Sequence, residues 1–217
     1  MFRGIFGGGQ RSPLIEAAFD DVSSMLRHSG RMLDLALAAL LDNQPLERDL
    51  DEMDDPVDES ERMVRRSVLE HLSFNPQQDL VASLVLVSMV QDAERIGDFA
   101  RGIGEIVPLA RSPRRGPFAD RLRGIAQELR PLFEETEEAF RKDDPERARA
   151  VMDKASALKA ELQEYTADVA ASDLTADMAV VYASAARILR RIGAHLSNVA
   201  SSVAQPYDRI RHGDEDV

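Results

Sequence analysis

One short phrase occurs twice in this chain, and the distance between the copies limits what the chain can fold into. The first copy reads Ala93-Glu94-Arg95-Ile96-Gly97-Asp98-Phe99-Ala100 and the second Leu189-Arg190-Arg191-Ile192-Gly193-Ala194-His195-Leu196. The Arg-Ile-Gly cores begin at Arg95 and Arg191, 96 positions apart. A repeat at that distance means two copies of one structural unit. In the first copy Glu94 and Asp98 flank the core at i and i+4, so on a helix they share one face. In the second copy the same places hold Arg190 and Ala194. Whatever the acids do, half of the chain has lost it.

Period and punctuation predict six helices. The first opens at Ser12-Pro13, a cap followed by a first-turn proline, and ends at Asp42-Asn43-Gln44-Pro45. The second starts near Leu46 and ends at Ser73-Phe74-Asn75-Pro76, with Pro56 inside it implying a kink or an early boundary. The third runs from about Gln77 to Leu109 and is the most apolar. The stretch Ser112-Pro113-Arg114-Arg115-Gly116-Pro117 reads as a linker. A fourth helix then runs from Phe118 to about Lys142, a fifth opens at Asp143-Asp144-Pro145 and reaches about Ala171, and a sixth runs from Asp173-Leu174-Thr175 to about Ala204.

No segment alternates with period two, so the fold class is all-α: a tandem repeat of two antiparallel three-helix bundles. The units span 12–111 and 118–204, joined by the linker 112–117, with a flexible N-terminal tail at 1–11 and a frayed C-terminal tail at 205–217. In the N-terminal tail Phe2, Ile5 and Phe6 offer a weak membrane-surface or partner contact. Asp54 and Asp153 fall in matching places on the second helix of each unit, 99 positions apart. That offset predicts a shorter turn before the third helix of the second unit.

Aromatic residues make up only 5% of the chain and Trp is absent, so the core must be aliphatic, which suits helices packed on helices. The net charge of −12 repels a phosphate backbone and argues against nucleic-acid binding. It favours cations or basic protein partners. With no Cys, disulfides and thiolate metal sites are excluded and a cytoplasmic compartment is expected. No apolar run approaches the roughly 20 residues of a membrane span.

The second helix offers Asp51, Asp54, Asp58 and Glu61 along one face, and the third offers Glu94 and Asp98. If these helices are neighbours, two carboxylate rows meet, and a cation between them would remove the repulsion. Oxygen-only ligands fit magnesium, manganese, calcium or iron. Against this, a chain with 39 acids places many at i, i+4 by chance, and Arg62, Arg65, Arg66 and Arg95 can neutralise them as ordinary ion pairs. No Glu-x-x-His exists, which counts against a di-iron carboxylate enzyme. His-Glu-x-x-His, phosphate-loop and Gly-x-Ser-x-Gly motifs are absent too. His195 reads as a surface or partly packed histidine, and Gly97, Gly102 and Gly104 as points of close helix packing.

Glu94-Arg95-Ile96-Gly97-Asp98 resembles the signature of the PhoU family of bacterial phosphate-signalling regulators. Asp54-Asp55-Pro56-Val57-Asp58, with Glu61 following and Asp79-Leu80 opening the third helix, is similar to the same family. The resemblance implies two three-helix bundles side by side and a non-enzymatic adaptor. Its partners would be a sensor histidine kinase, a phosphate transporter subunit or both, with negative regulation of phosphate uptake as the outcome. Exposed aliphatic side chains would permit a homodimer. Some family members bind metal through their acidic motifs. Here that implies at most one divalent or ferric site (iron, manganese, magnesium or zinc), in the first repeat only, using Glu94, Asp98 and Asp54 with Asp58 or Glu61. The alternatives are a carboxylate-metal protein or enzyme with a single acidic site, and a PhoU-like paralogue serving another transporter.

Overall fold

The computed structural model describes residues 11–210; the expectations for residues 1–10 and 211–217 lie outside the described residues. Helix α1 (Pro13–Leu41) is capped by Ser12, whose hydroxyl accepts from the Ile15 N–H at 3.3 Å. The same hydroxyl lies 3.0 Å from His71 Nδ1, so the start of α1 is fastened to the end of the second helix.

Helix α2 (Leu50–Phe74) begins later than the sequence predicts, because Asp49 supplies the cap by accepting from the Asp51 N–H. Pro56 sits inside α2 without ending it. The carbonyl it leaves unpaired is that of Glu52, and both residues are exposed, so water replaces the lost bond. Helix α3 (Leu80–Ile106) also starts late, since Asp79 adopts a left-handed conformation (φ 52°) at the end of a turn.

The single helix predicted for 118–142 is two: α4 (Pro117–Leu129) and α5 (Pro131–Lys142). Pro131 has no N–H to give to the Gln127 carbonyl and its ring crowds that turn, so the hydrogen-bond ladder is interrupted at Arg130 while its backbone stays helical (φ −54°, ψ −45°). Helix α6 (Pro145–Ala170) is capped by Asp144, which accepts from the N–H groups of Glu146 and Arg147. Helix α7 (Ala176–Ala204) closes the second unit. The connections Asn75–Asp79 and Ala171–Thr175 are equal in length, so the predicted shorter turn in the second unit is not there.

The fold is all-α, two antiparallel three-helix units in tandem, with α4 and α5 together serving as the first helix of the second unit. The units lie side by side, α3 against α7 and α1 against α5, and share one aliphatic core. Phe19 and Phe140, one from each unit, meet within it at 5.0 Å between ring centroids. The linker is fastened as well. Arg114 donates to the carbonyls of Leu40 and Ala39, and Arg123 to that of Leu41. Two guanidinium groups thus satisfy the open C-terminal end of α1, where the helix dipole favours positive charge.

Candidate functional site: an acid cluster between α2 and α3

Helices α2 and α3 bring the predicted acids together at one end of their contact. Asp54 points inward from α2 and is only 6% exposed. Its Oδ2 lies 3.5 Å from Arg101 Nε, while its Oδ1 is buried and has no hydrogen-bond partner. The close approach depends on Gly97: a Cβ there would stand 2.7 Å from Asp54 Oδ1. Asp98 accepts from Arg95 and from Arg101, each at 2.9 Å. Glu94 is half-buried and lies 3.6 Å from Arg95 Nε. Asp58 and Glu61 stand further out, paired with Arg62 at 3.9 Å and Arg65 at 2.7 Å.

Burial pushes the Glu94 carboxyl up to about 7; the charge on Asp98 adds to this, Arg95 opposes it, and Glu61 and Asp58 contribute further. Asp54 is raised to about 6, again chiefly by burial, with Arg101 opposing and Asp98, Asp58 and Asp51 reinforcing. The five predicted residues therefore do form one electrostatic unit. The sequence reading missed the residue at its centre. Arg101 reaches Asp51 (3.1 Å), Asp54 and Asp98 at once. Its signal was available: it lies three residues beyond Asp98 and seven beyond Glu94, on the same helix face.

The donor set, all carboxylate oxygen, has the right chemistry for a hard cation. The arrangement does not fit one as it stands. Among the described residues no group of three or more His, Asp or Glu side chains is placed to hold a metal ion, and the Arg101 guanidinium lies among the acids.

The second unit has no counterpart. On α7 the places of Glu94 and Asp98 are taken by Arg190 and Ala194, and the buried residues of α6 (Ala148, Val151, Ala155, Leu158, Leu162, Tyr165 and Val169) include no acid. Asp153, expected to match Asp54, is exposed, whereas Asp54 is buried. The inner acids of the first unit thus have no acidic counterparts: Arg190 and Ala194 replace two of them, and the buried face of α6 carries no carboxylate.

A second polar cluster joins the units. Asp92 on α3 accepts from Asn198 Nδ2 at 2.8 Å, and the same oxygen lies 2.7 Å from His195 Nδ1. All three side chains are buried, which corrects the reading of His195 as a surface or partly packed histidine. Phe99, the residue 96 positions before His195, stacks on its ring at 5.5 Å. Asp92 was missed because its partners are more than a hundred positions away in sequence.

Among the described residues no helix is long and apolar enough to cross a membrane. No curated protein matches the chain. Solved structures of PhoU proteins share its fold. PhoU from Pseudomonas aeruginosa has a TM-score of 0.80 at 22% identity, over 88% of this chain and 95% of that one. The phosphate transport system regulatory protein PhoU from Streptococcus pneumoniae has a TM-score of 0.79 at 13% identity, over 87% of this chain and 92% of that one. The PhoU domain model matches twice, at residues 22–107 and 122–203, one match in each structural unit. The chain therefore belongs to the PhoU family.

Proposed function

We propose that this chain is a non-enzymatic adaptor that restrains phosphate uptake and phosphate-responsive signalling. It acts in the cytoplasm by binding a sensor histidine kinase or a phosphate transporter subunit. The observation that carries the reading is the double family match over both units. The site supports it: its outward acids suit a basic protein surface.

The test is an affinity pull-down of the tagged chain from its own cells grown with ample phosphate, with mass spectrometry of what co-purifies. Recovery of a sensor kinase or phosphate-transport subunit supports the reading. Recovery of a different transporter's subunits moves the chain to a paralogue's role, and recovery of neither under mild crosslinking sinks the phosphate role.

A second reading, one metal ion held by Glu94, Asp98 and Asp54, is favoured by a single observation: the buried, unpartnered Asp54 Oδ1. It requires Arg101 to swing out. Metal analysis of the wild type, Asp98→Ala and Arg101→Gln tests it. Stoichiometric metal lost only in Asp98→Ala supports it; metal in Arg101→Gln alone makes the arginine the resident cation; metal unchanged in Asp98→Ala removes the assignment.

A further inference from the structure

The outward face of α3 carries a single seam: Leu80, Leu84, Val87, Gln91, Glu94 and Asp98, at alternating intervals of four and three. That is the spacing with which one helix meets another along its length. Leu80, Leu84 and Val87 are 45%, 38% and 39% exposed, so the seam is uncovered along its apolar half. Helix α2 runs antiparallel beside it and divides in the same way. Asp58 and Glu61 flank the acidic half of the seam, while Leu69, 69% exposed, lies toward the apolar half. The furrow between α2 and α3 therefore has an apolar end and an acidic end, and it spans about five helical turns.

We propose that this furrow receives an amphipathic helix of a partner protein, apolar at one end and rich in lysine or arginine at the other. The choice of occupant follows from charge complementarity. At the acidic end Asp51, Asp54, Asp58, Glu61, Glu94 and Asp98 outnumber the arginines that pair with them. A basic side chain arriving there relieves repulsion among carboxylates already forced together. The second unit supplies an internal control. Positions 96 further on read Ala176, Val180, Ala183, Arg187, Arg190 and Ala194: smaller at the apolar half, with arginine in place of Gln91 and Glu94 and alanine in place of Asp98. That face would repel the same helix. The inference rests on the adaptor reading and names the kind of surface such an adaptor recognises.

The probe is a fluorescein-labelled helical peptide of about 20 residues. It carries Leu at the seam positions of one half and Lys at those of the other, on an Ala/Gln background. A peptide of the same composition with the seam scrambled is the comparison. By fluorescence anisotropy the patterned peptide should bind the full chain about tenfold more tightly than the scrambled one. Leu84→Glu and Glu94→Lys should each weaken it about tenfold, while Val180→Glu, on the corresponding face of α7, leaves it unchanged. Leu84 and Val180 are exposed, and circular dichroism confirms that each variant is folded.

Equal binding of the scrambled peptide, or equal weakening by Val180→Glu, overturns the proposal. So does self-association of the wild type, by sedimentation, that Leu84→Glu or Arg190→Glu abolishes, because the occupant is then a second copy. Repeating the cellular pull-down with Leu84→Glu separates the two claims. Loss of the captured partner supports the furrow as its site. Retention of the partner overturns the furrow and leaves the adaptor reading standing. A wild type that captures no partner yet binds the patterned peptide leaves the furrow standing and sinks the adaptor reading.

Discussion

The two Arg-Ile-Gly phrases sit on equivalent helices, yet they have been put to different uses. In the first unit the phrase faces α2, and the glycine lets a buried carboxylate approach to a distance no Cβ would allow. In the second unit a Cβ on Gly193 would meet only Leu129 Cδ1, at an ordinary 3.5 Å. The acids are gone, and the next residue, His195, turns inward to bind Asp92 of the other unit. One copy keeps a half-buried charge cluster at the surface; the other contributes to the joint. The lesson is that a repeat preserves the helix and its packing more faithfully than the chemistry carried on it.

The largest test of this contrast lies in the joint. His195→Leu leaves Asp92 buried with Asn198 alone, and should cost about 3–5 kcal/mol in urea unfolding. The double variant Asp92→Leu with His195→Leu should cost less than that single change, since no unpaired charge remains. A double variant worse than His195→Leu would mean the cluster matters for shape and not for charge pairing.

The glycines come next. Gly97→Ala should cost about 1–3 kcal/mol by overpacking against Asp54, despite the better helix propensity of alanine. Gly193→Ala should be neutral or stabilising by up to about 1 kcal/mol. Equal losses at the two sites would erase the distinction between the units.

A smaller effect separates the units by pH. Glu94 and Asp54 hold their protons more tightly folded than unfolded, so the native state binds more protons between about pH 4 and 7. The slope of stability with pH is then negative for these two groups, and their burial destabilises progressively as pH rises through that window. Glu94→Gln should flatten the loss of melting temperature between about pH 5 and 8. A steeper loss in the variant would mean that Glu94 is stabilised as the anion. The smallest expected change is the reverse graft. Arg190→Glu with Ala194→Asp should stay within about 0.5 kcal/mol of wild type and add no new alkaline loss, because the buried face of α6 offers no third carboxylate. A second pH-dependent loss would restore symmetry to the two faces.

Much of this was legible in the sequence. Six helical stretches and their pairing into two units follow from apolar period and from prolines at helix starts, and spacing puts the acids of the first unit in one row on each helix, rows that meet once the two helices pack as neighbours. What escaped had both local and distant causes. The break at Pro131 was overlooked because amphipathic periodicity continues straight through it. Matching spacing does not make Asp153 a second Asp54, because burial is set by tertiary neighbours: Asp54 is packed against Gly97, whereas Asp153 is exposed. Asp92 acquires its meaning from His195 and Asn198, more than a hundred positions away, which no local pattern encodes, whereas Arg101 is marked in part by its place three residues after Asp98.

The stack of Phe99 on His195 has a consequence for how such a protein could arise. The two residues are equivalent, one in each unit. In a symmetric pair of separate single-unit chains, a residue lying at the two-fold axis has no choice but to meet its own copy. There, any histidine that entered would face a second histidine, and any phenylalanine a second phenylalanine. Once the two units share one chain, each side of the axis can change alone. An aromatic ring can then be set against an imidazole whose other edge holds a buried carboxylate. Covalent fusion thus opened to this fold an asymmetric joint that a dimer of identical halves could not have built.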